Sequence, residues 1–284
     1  ETWGLDPEAL HRFLEHECRP NTEGGPTDRG TGRRVKAVLA VHLYGHPVDM
    51  DPVLAAADEH RLPVIEDAAE SLGSLYKGRP TGVLGRLGCL SFNGNKTITS
   101  GGGGMIVSHD QELLDRARFL INQGKDPGEE FYHSEVGFNY RLSNLQGAVG
   151  LAQTERLEEF VAARRAHALR YGEALSEVSG VTFVREQPWA RSNYWLSTVL
   201  LDPDIFPVPP GEAMCRLRQS GIEVRRPFVP NHLLPPYEGS RTFGGLPVAR
   251  SLYEQGLNLP SSAWLSAEQV EHVASELGAL GKAS

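Results

Sequence analysis

Ser91-Phe92-Asn93-Gly94-Asn95-Lys96-Thr97, with four glycines at 101–104 close behind, decides how this chain is read. Lys96 sits on a glycine-flanked turn directly after the apolar, strand-like run 87–92. Upstream, Val64-Ile65-Glu66-Asp67 carries a carboxylate to the end of a second apolar run. Open α/β sheets place ligands at the carboxyl ends of their strands. Small neighbours let a ligand approach the backbone. A lysine and an aspartate are thus expected at one edge of one sheet.

Outward from this stretch, strands and helices alternate. Residues 6–18 read as a helix with Asp6 as cap, Pro7 in the first turn, and Leu10, Phe13 and Leu14 on one face. Residues 19–34 are polar and rich in Gly, Arg and Thr, which predicts an exposed loop. The nearly continuous apolar run 35–43 predicts a strand buried on both faces. A helix over 50–60 and strands over 62–66, 88–92 and 105–108 follow. Asp110 caps a helix that places Leu113, Ala117, Leu120 and Ile121 on one face. Residues 122–142 are irregular, and Leu145, Ala148, Val149 and Ala152 open a helix expected to run to about 176. Shorter elements come after it: strands near 181–185, 193–201 and 222–226, and a helix near 210–219. The last helix opens with a Ser266-x-x-Gln269 capping box and carries Val270, Val273, Ala274 and Leu277 on one stripe. The expected architecture is α/β: a large, mostly parallel sheet domain over 1–155, then a linking helix and a smaller α+β domain over 156–284.

The chain has 284 residues, 40% hydrophobic and 23% charged, with a net charge of −8. That balance argues against nucleic acid or an anionic membrane as partner. No run is long and apolar enough for a membrane helix, and no signal peptide opens the sequence. Cys18, Cys89 and Cys215 are sparse and odd in number, which points to a reducing cytoplasm. No metal site is expected, because His11, His16, His109, His133 and His167 show no ligand spacing.

The chemistry rests on residue type. A lysine amine can form a Schiff base with a carbonyl cofactor. An acid that keeps a pyridine nitrogen protonated makes that ring an electron sink. Lys96 and Asp67 therefore point to pyridoxal 5'-phosphate. The ordinary alternatives are a solvated surface lysine and a helix N-cap. A nucleotide-hydrolase phosphate loop is excluded because Asn95, not glycine, directly precedes Lys96. Glu70 is close enough to face the same site if a helical turn follows Asp67. Ser91 could donate to a phosphate or bond the backbone. His42 and Tyr44 close the first strand at the same edge and are candidates to line a substrate pocket. Asn139 and Arg141 could reach a phosphate or anchor their loop.

Taken in order, Val41-His42-Leu43-Tyr44-Gly45, Glu66-Asp67-Ala68-Ala69-Glu70-Ser71-Leu72-Gly73, the segment around Lys96 and Gly137-Phe138-Asn139-Tyr140-Arg141-Leu142 resemble the DegT/DnrJ/EryC1/StrS family of sugar aminotransferases. The likeness continues through Gln153 and more weakly through Val229-Pro230-Asn231-His232. It implies a fold type I pyridoxal phosphate enzyme that works as a homodimer with shared active sites. It also implies roles: Lys96 as Schiff-base lysine, Asp67 on the pyridine nitrogen, Glu70 near the phenolic oxygen and Ser91 on the phosphate. Asn139 and Arg141 would come from the second subunit, and His232 would lie near the sugar. The implied reaction moves an amino group from glutamate to a nucleotide-linked 4-keto-6-deoxy sugar. A cyclitol-ketone aminotransferase and an inactive sugar-binding homologue are the alternatives. Sugar dehydratases of the family carry histidine in place of the lysine, so Lys96 argues against them. Family members are longer at the N-terminus, where a phosphate-binding turn and a stacking aromatic lie. The sequence is accordingly expected to be a fragment or a shortened homologue.

Overall fold

A computed structural model describes residues 2–21, 24–128 and 130–282. The chain divides into two compact units, one of residues 2–160 and 188–193, the other of 161–187 and 194–282. The short return at 188–193 places six residues of the later sequence within the first unit.

The first unit opens with α1 (Pro7–Arg12), whose N-terminal amide at Glu8 is capped by the Asp6 side chain at 2.9 Å. A π-helical turn, Phe13–Glu17, continues it. The polar stretch that follows is not a wholly exposed loop. Strands β1 (Cys18–Arg19) and β2 (Thr27–Asp28) pair antiparallel within it, and residues 25–28 are buried. Residues 22 and 23 lie outside the described residues.

The main sheet then forms from β3 (Val38–Val41), and, after α2 (Met50–Glu59), β4 (Val64–Asp67). A tight hairpin of β5 (Leu75–Tyr76) and β6 (Arg79–Pro80) precedes β7 (Leu87–Ser91) and β8 (Gly104–Val107). The order is β3-β4-β7-β8, parallel except for β8, which runs antiparallel to β7. β8 follows β7 across residues 92–103 and pairs back on it antiparallel, so the two strands form a hairpin. Lys96 stands on its loop.

Strand parity gives this sheet two unlike faces. Val38, Ala40, Val64 and Glu66 are buried on one face, where α2 packs Met50, Val53, Ala56 and Ala57. Each fully buried Val or Met there contributes about 1.5–3 kcal/mol. The other face carries Asp67 and is open: Leu39 is 57% exposed, Ile106 41%, and Cys89 is also exposed. The strand at 38–41 is thus buried on one face only. α3 (Gln111–Ile121) starts at Asp110, whose carboxylate accepts from the amides of Glu112 and Leu113. The expected long helix is two, α4 (Asn144–Thr154) and α5 (Leu157–Ala174). The boundary between the units falls within α5.

The second unit is built on β9 (Val181–Phe183), β11 (Ser197–Leu201) and β12 (Gly256–Leu259), all antiparallel in the order β12-β11-β9. The intervening β10 (Ala190–Arg191) belongs to the returning segment and pairs with β5. Helices α6 (Pro210–Gln219), α7 (Pro247–Gln255) and α8 (Ala267–Leu280) complete the unit. Its core joins Tyr171, Leu175, Val199, Leu217, Leu257, Val270 and Leu277. The stretch 222–226 supplies one bridge, Arg225 to Asn258, rather than a strand. The capping box at Ser266 is formed, and all four stripe residues of α8 are buried.

Candidate active site

The carboxyl ends of β4 and β7 gather the site. Register places Val41, Asp67, Cys89 and Ile106 in one row on the open face. Asp67 ends β4, and its Oδ1 accepts from the Ala69 amide at 3.1 Å, an Asx turn that stops the strand. No helix follows it. Tight turns instead bring Glu70 back toward the β7–β8 loop. That loop is stapled to itself: Ser100 N donates to Phe92 O at 3.0 Å, Thr99 Oγ1 to the same oxygen at 3.1 Å, and Lys96 N to Asn93 O at 3.1 Å. Phe92, Thr97 and Ile98 are buried and anchor it.

Lys96 Nζ lies 3.5 Å from Glu70 Oε1, with the two side chains 14% and 12% exposed. Glu70 Oε2 accepts from the Tyr44 amide at 2.8 Å. Burial pushes the Glu70 carboxyl above its ordinary value against the pull of the Tyr44 amide and Lys96, and the neighbouring Asp67 charge pushes the same way. Lys96 stands beside the Glu70 carboxylate. Ser91, at the end of β7, is half-buried, and its Oγ accepts from Asn93 N at 3.4 Å.

Two expected pocket residues take other roles. His42 is fully buried. Its Nδ1 accepts from the Val48 amide at 3.0 Å, which leaves the proton on Nε2 to donate to Glu66 Oε2 at 2.9 Å. With both ring nitrogens engaged and no exposed surface, His42 does not line a substrate pocket. Tyr44 has φ 56°, and its ring is buried, 5.8 Å from that of Trp3. It serves the site through its amide instead of its ring. Asn139 and Arg141 are exposed, and Arg141 Nη1 reaches Asn122 Oδ1 at 3.4 Å. His232 belongs to the second unit, on the 3-10 turn Asn231–Leu233.

Glu66 is the residue that sequence reasoning passed over. It is fully buried and accepts from His42, from Gly82 N at 2.7 Å, and from Leu84 N and Gly85 N at 2.6 Å each. These donors outweigh the burial that would raise its pKa and hold the carboxyl below its ordinary value. Gly88, its register partner, leaves room for the loop, because a Cβ there would overlap the Gly82 carbonyl. The readable signal was parity: Glu66 falls in step with Val64 on the buried face.

A lysine, two carboxylates and a strand-end serine now stand at one sheet edge, in the segments that carry the resemblance. The model of the DegT/DnrJ/EryC1/StrS aminotransferase family matches residues 2–278. The chain belongs to that family. It is 41% identical over 245 residues to the GDP-perosamine synthase of Caulobacter vibrioides, covering 86% of this chain and 66% of that one. It is 33% identical over 261 residues to the dTDP-3-amino-3,4,6-trideoxy-alpha-D-glucose transaminase of Streptomyces venezuelae, covering 91% and 67%. The solved structure of S. venezuelae DesV in complex with a ketimine intermediate matches with a TM-score of 0.84 at 30% identity, over 99% of this chain and 70% of that one. The chain spans about two thirds of the length of the curated relatives it matches. With these neighbours the fold is α/β of fold type I.

Aminotransferases of the DegT/DnrJ/EryC1/StrS family depend on pyridoxal phosphate. The donor set fits that group. An amine suited to a Schiff base, a carboxylate suited to a pyridinium and a strand-end hydroxyl share one edge of this sheet.

Proposed function

We propose that this chain carries the lysine-bearing part of a pyridoxal phosphate-dependent sugar aminotransferase, which moves an amino group from glutamate to a nucleotide-linked 4-keto-6-deoxy sugar. The observation that carries the proposal is Lys96 Nζ, 3.5 Å from Glu70 at the edge where Asp67 ends β4. When bound, pyridoxal phosphate supplies a carbonyl for the lysine and a cationic ring that withdraws electrons from the reacting carbon. Asp67 would hold the proton on the ring nitrogen through a charge-assisted hydrogen bond. Lys96 Nζ would take the proton from the nitrogen-bearing carbon of the amino donor and, in the second half of the reaction, deliver a proton to the sugar carbon that receives the nitrogen. By the resemblance, Glu70 would face the phenolic oxygen, and Ser91 Oγ would donate to the phosphate. His232 is assigned to the sugar side by the resemblance.

The working unit is proposed to be a homodimer. Asn139 and Arg141, assigned to the cofactor phosphate of a second copy, lie among exposed apolar side chains: Val136 is 88% exposed, Tyr140 71% and Leu145 81%. Apolar surface of that kind is what a permanent interface covers. Among the described residues no helix is long and apolar enough to cross a membrane. The three cysteines are free, which suits the reducing cytoplasm where we place the reaction.

The test is transamination itself. The protein, supplied with pyridoxal phosphate, glutamate and a nucleotide-linked 4-keto-6-deoxy sugar, is expected to release 2-oxoglutarate and an amino sugar in equal amounts. Release that persists in Lys96→Ala, or none with any keto sugar in the wild type, would contradict the proposal.

A further inference from the structure

Three loops of the first unit meet at one buried amide that lies outside every motif above. Asn193 has no exposed surface. Its Nδ2 donates to Glu70 O at 2.9 Å, to Leu72 O at 2.9 Å and to Thr97 Oγ1 at 3.2 Å. Its backbone amide donates to Ser74 Oγ at 2.9 Å, and Ser74 Oγ donates on to Gly45 O at 2.7 Å. Gly45 follows Tyr44, whose amide holds the Glu70 carboxylate. One side chain thus ties the turn that carries Glu70 to the residue next to Lys96. One backbone amide ties the same turn to the loop that holds the Glu70 carboxylate. The clip enters from far along the sequence and is fixed in register by the pairing of β10 with β5.

We propose that Asn193 is a positioning residue for Lys96: it sets the separation between the Lys96 loop and the Glu70 turn, and so presents the amine at the carboxylate edge. This rests on the reading of Lys96 as the cofactor-binding lysine. The Lys96–Glu70 contact, at 3.5 Å, is too long to define that separation by itself. The Asn193 amide is suited to the task because its donors face two carbonyls and a hydroxyl in a site closed to water, where unpaired groups are costly. An aspartate there would offer only acceptors to the two carbonyl oxygens and would leave both without a donor.

The chain has five lysines, Lys36, Lys77, Lys96, Lys125 and Lys282, so peptide mapping resolves every amine. Cofactor-free protein would be acetylated with trace acetic anhydride, and Lys96 labelling expressed relative to exposed Lys36. Pyridoxal phosphate incorporation at Lys96 would be measured separately after borohydride reduction. Asn193→Asp is expected to raise relative acetylation of Lys96 about fivefold or more, as the loop leaves its shelter. It is expected to lower pyridoxyl incorporation there by about tenfold. Thr97→Val, which removes only the arm nearest Lys96, should shift both readouts in the same directions but less. If Asn193→Asp does not fold, Thr97→Val decides alone. Wild-type values of both readouts in folded variants would overturn the proposal. Failure of the wild type to take pyridoxal phosphate at Lys96 would sink the cofactor reading instead, and the acetylation ratio would still decide the role of Asn193.

Discussion

The closed face of the β3-β4-β7-β8 sheet and the turn that follows β4 hold carboxylates from one short stretch of chain under opposite conditions. On the closed face, Glu66 is sealed among four donors and held ionised. At the open edge, Glu70 has one backbone donor and a lysine, and burial keeps its carboxyl above the ordinary value. A fully satisfied buried charge fixes structure. A half-satisfied one beside an amine is available for chemistry. Strand parity turns Glu66 to the closed face, and the turns after β4 carry Glu70 to the edge beside Lys96.

The largest effect is expected at the open edge. Lys96→Ala should lower transamination by roughly a thousandfold or more, about 4 kcal/mol of barrier, with little change in the urea midpoint. A comparable loss of stability would merge the two tasks that the comparison separates. On the closed face, Glu66→Ala should cost about 3–5 kcal/mol of stability, because His42 and three amides lose a buried partner. Glu70→Ala should cost roughly 1 kcal/mol in the same urea titration. Equal losses at the two positions would break the contrast.

Proton linkage sharpens it further. The folded-state pKa of Glu70 is raised, so the folded protein binds more protons than the unfolded chain above the ordinary value of 4.5. Stability from this group therefore falls as pH rises through the window from 4.5 to the raised value, and Glu70→Gln should remove that fall. Glu66 is lowered, so its contribution is full above 4.5 and is lost as pH falls through the depressed value. Glu66→Gln should thus be most destabilising at neutral pH and converge on the wild type in acid. Thermal melts of both variants across the acid-to-neutral range would show differences of opposite slope; slopes of the same sign would contradict the assignment. The smallest effect is expected away from both faces: Ser143→Ala, which opens the α4 capping box, should cost about 1 kcal/mol.

Much of this was legible in the sequence. Apolar runs between amphipathic helices located β4, β7, α2 and α3, and the Asp110 and Ser266 caps were readable as local chemistry. The segments bearing Asp67, Glu70 and Lys96 could be placed at strand ends because turn residues follow them. What escaped were long-range facts. The β5–β6 hairpin turns on Lys77 and Gly78, both with positive φ, a two-residue signal that a pass for longer runs overlooks. His42 stood at a strand end, and nothing local showed that Glu66 would claim its ring. The break between α4 and α5 falls at Glu155 and Arg156, ordinary helix formers that carry no stop signal. Asn193 is one polar residue in an unremarkable stretch, and only the pairing of β10 with β5 brings it to Glu70 and Thr97.

The central claim is that Lys96, among five lysines, is the amine this fold prepares for pyridoxal phosphate. Reduction with borohydride in the presence of pyridoxal phosphate, followed by mass-spectrometric mapping of all five, tests it most directly. A pyridoxyl adduct confined to Lys96 is the expected result. Adducts spread over Lys36, Lys77, Lys125 and Lys282, or none at all, would contradict it.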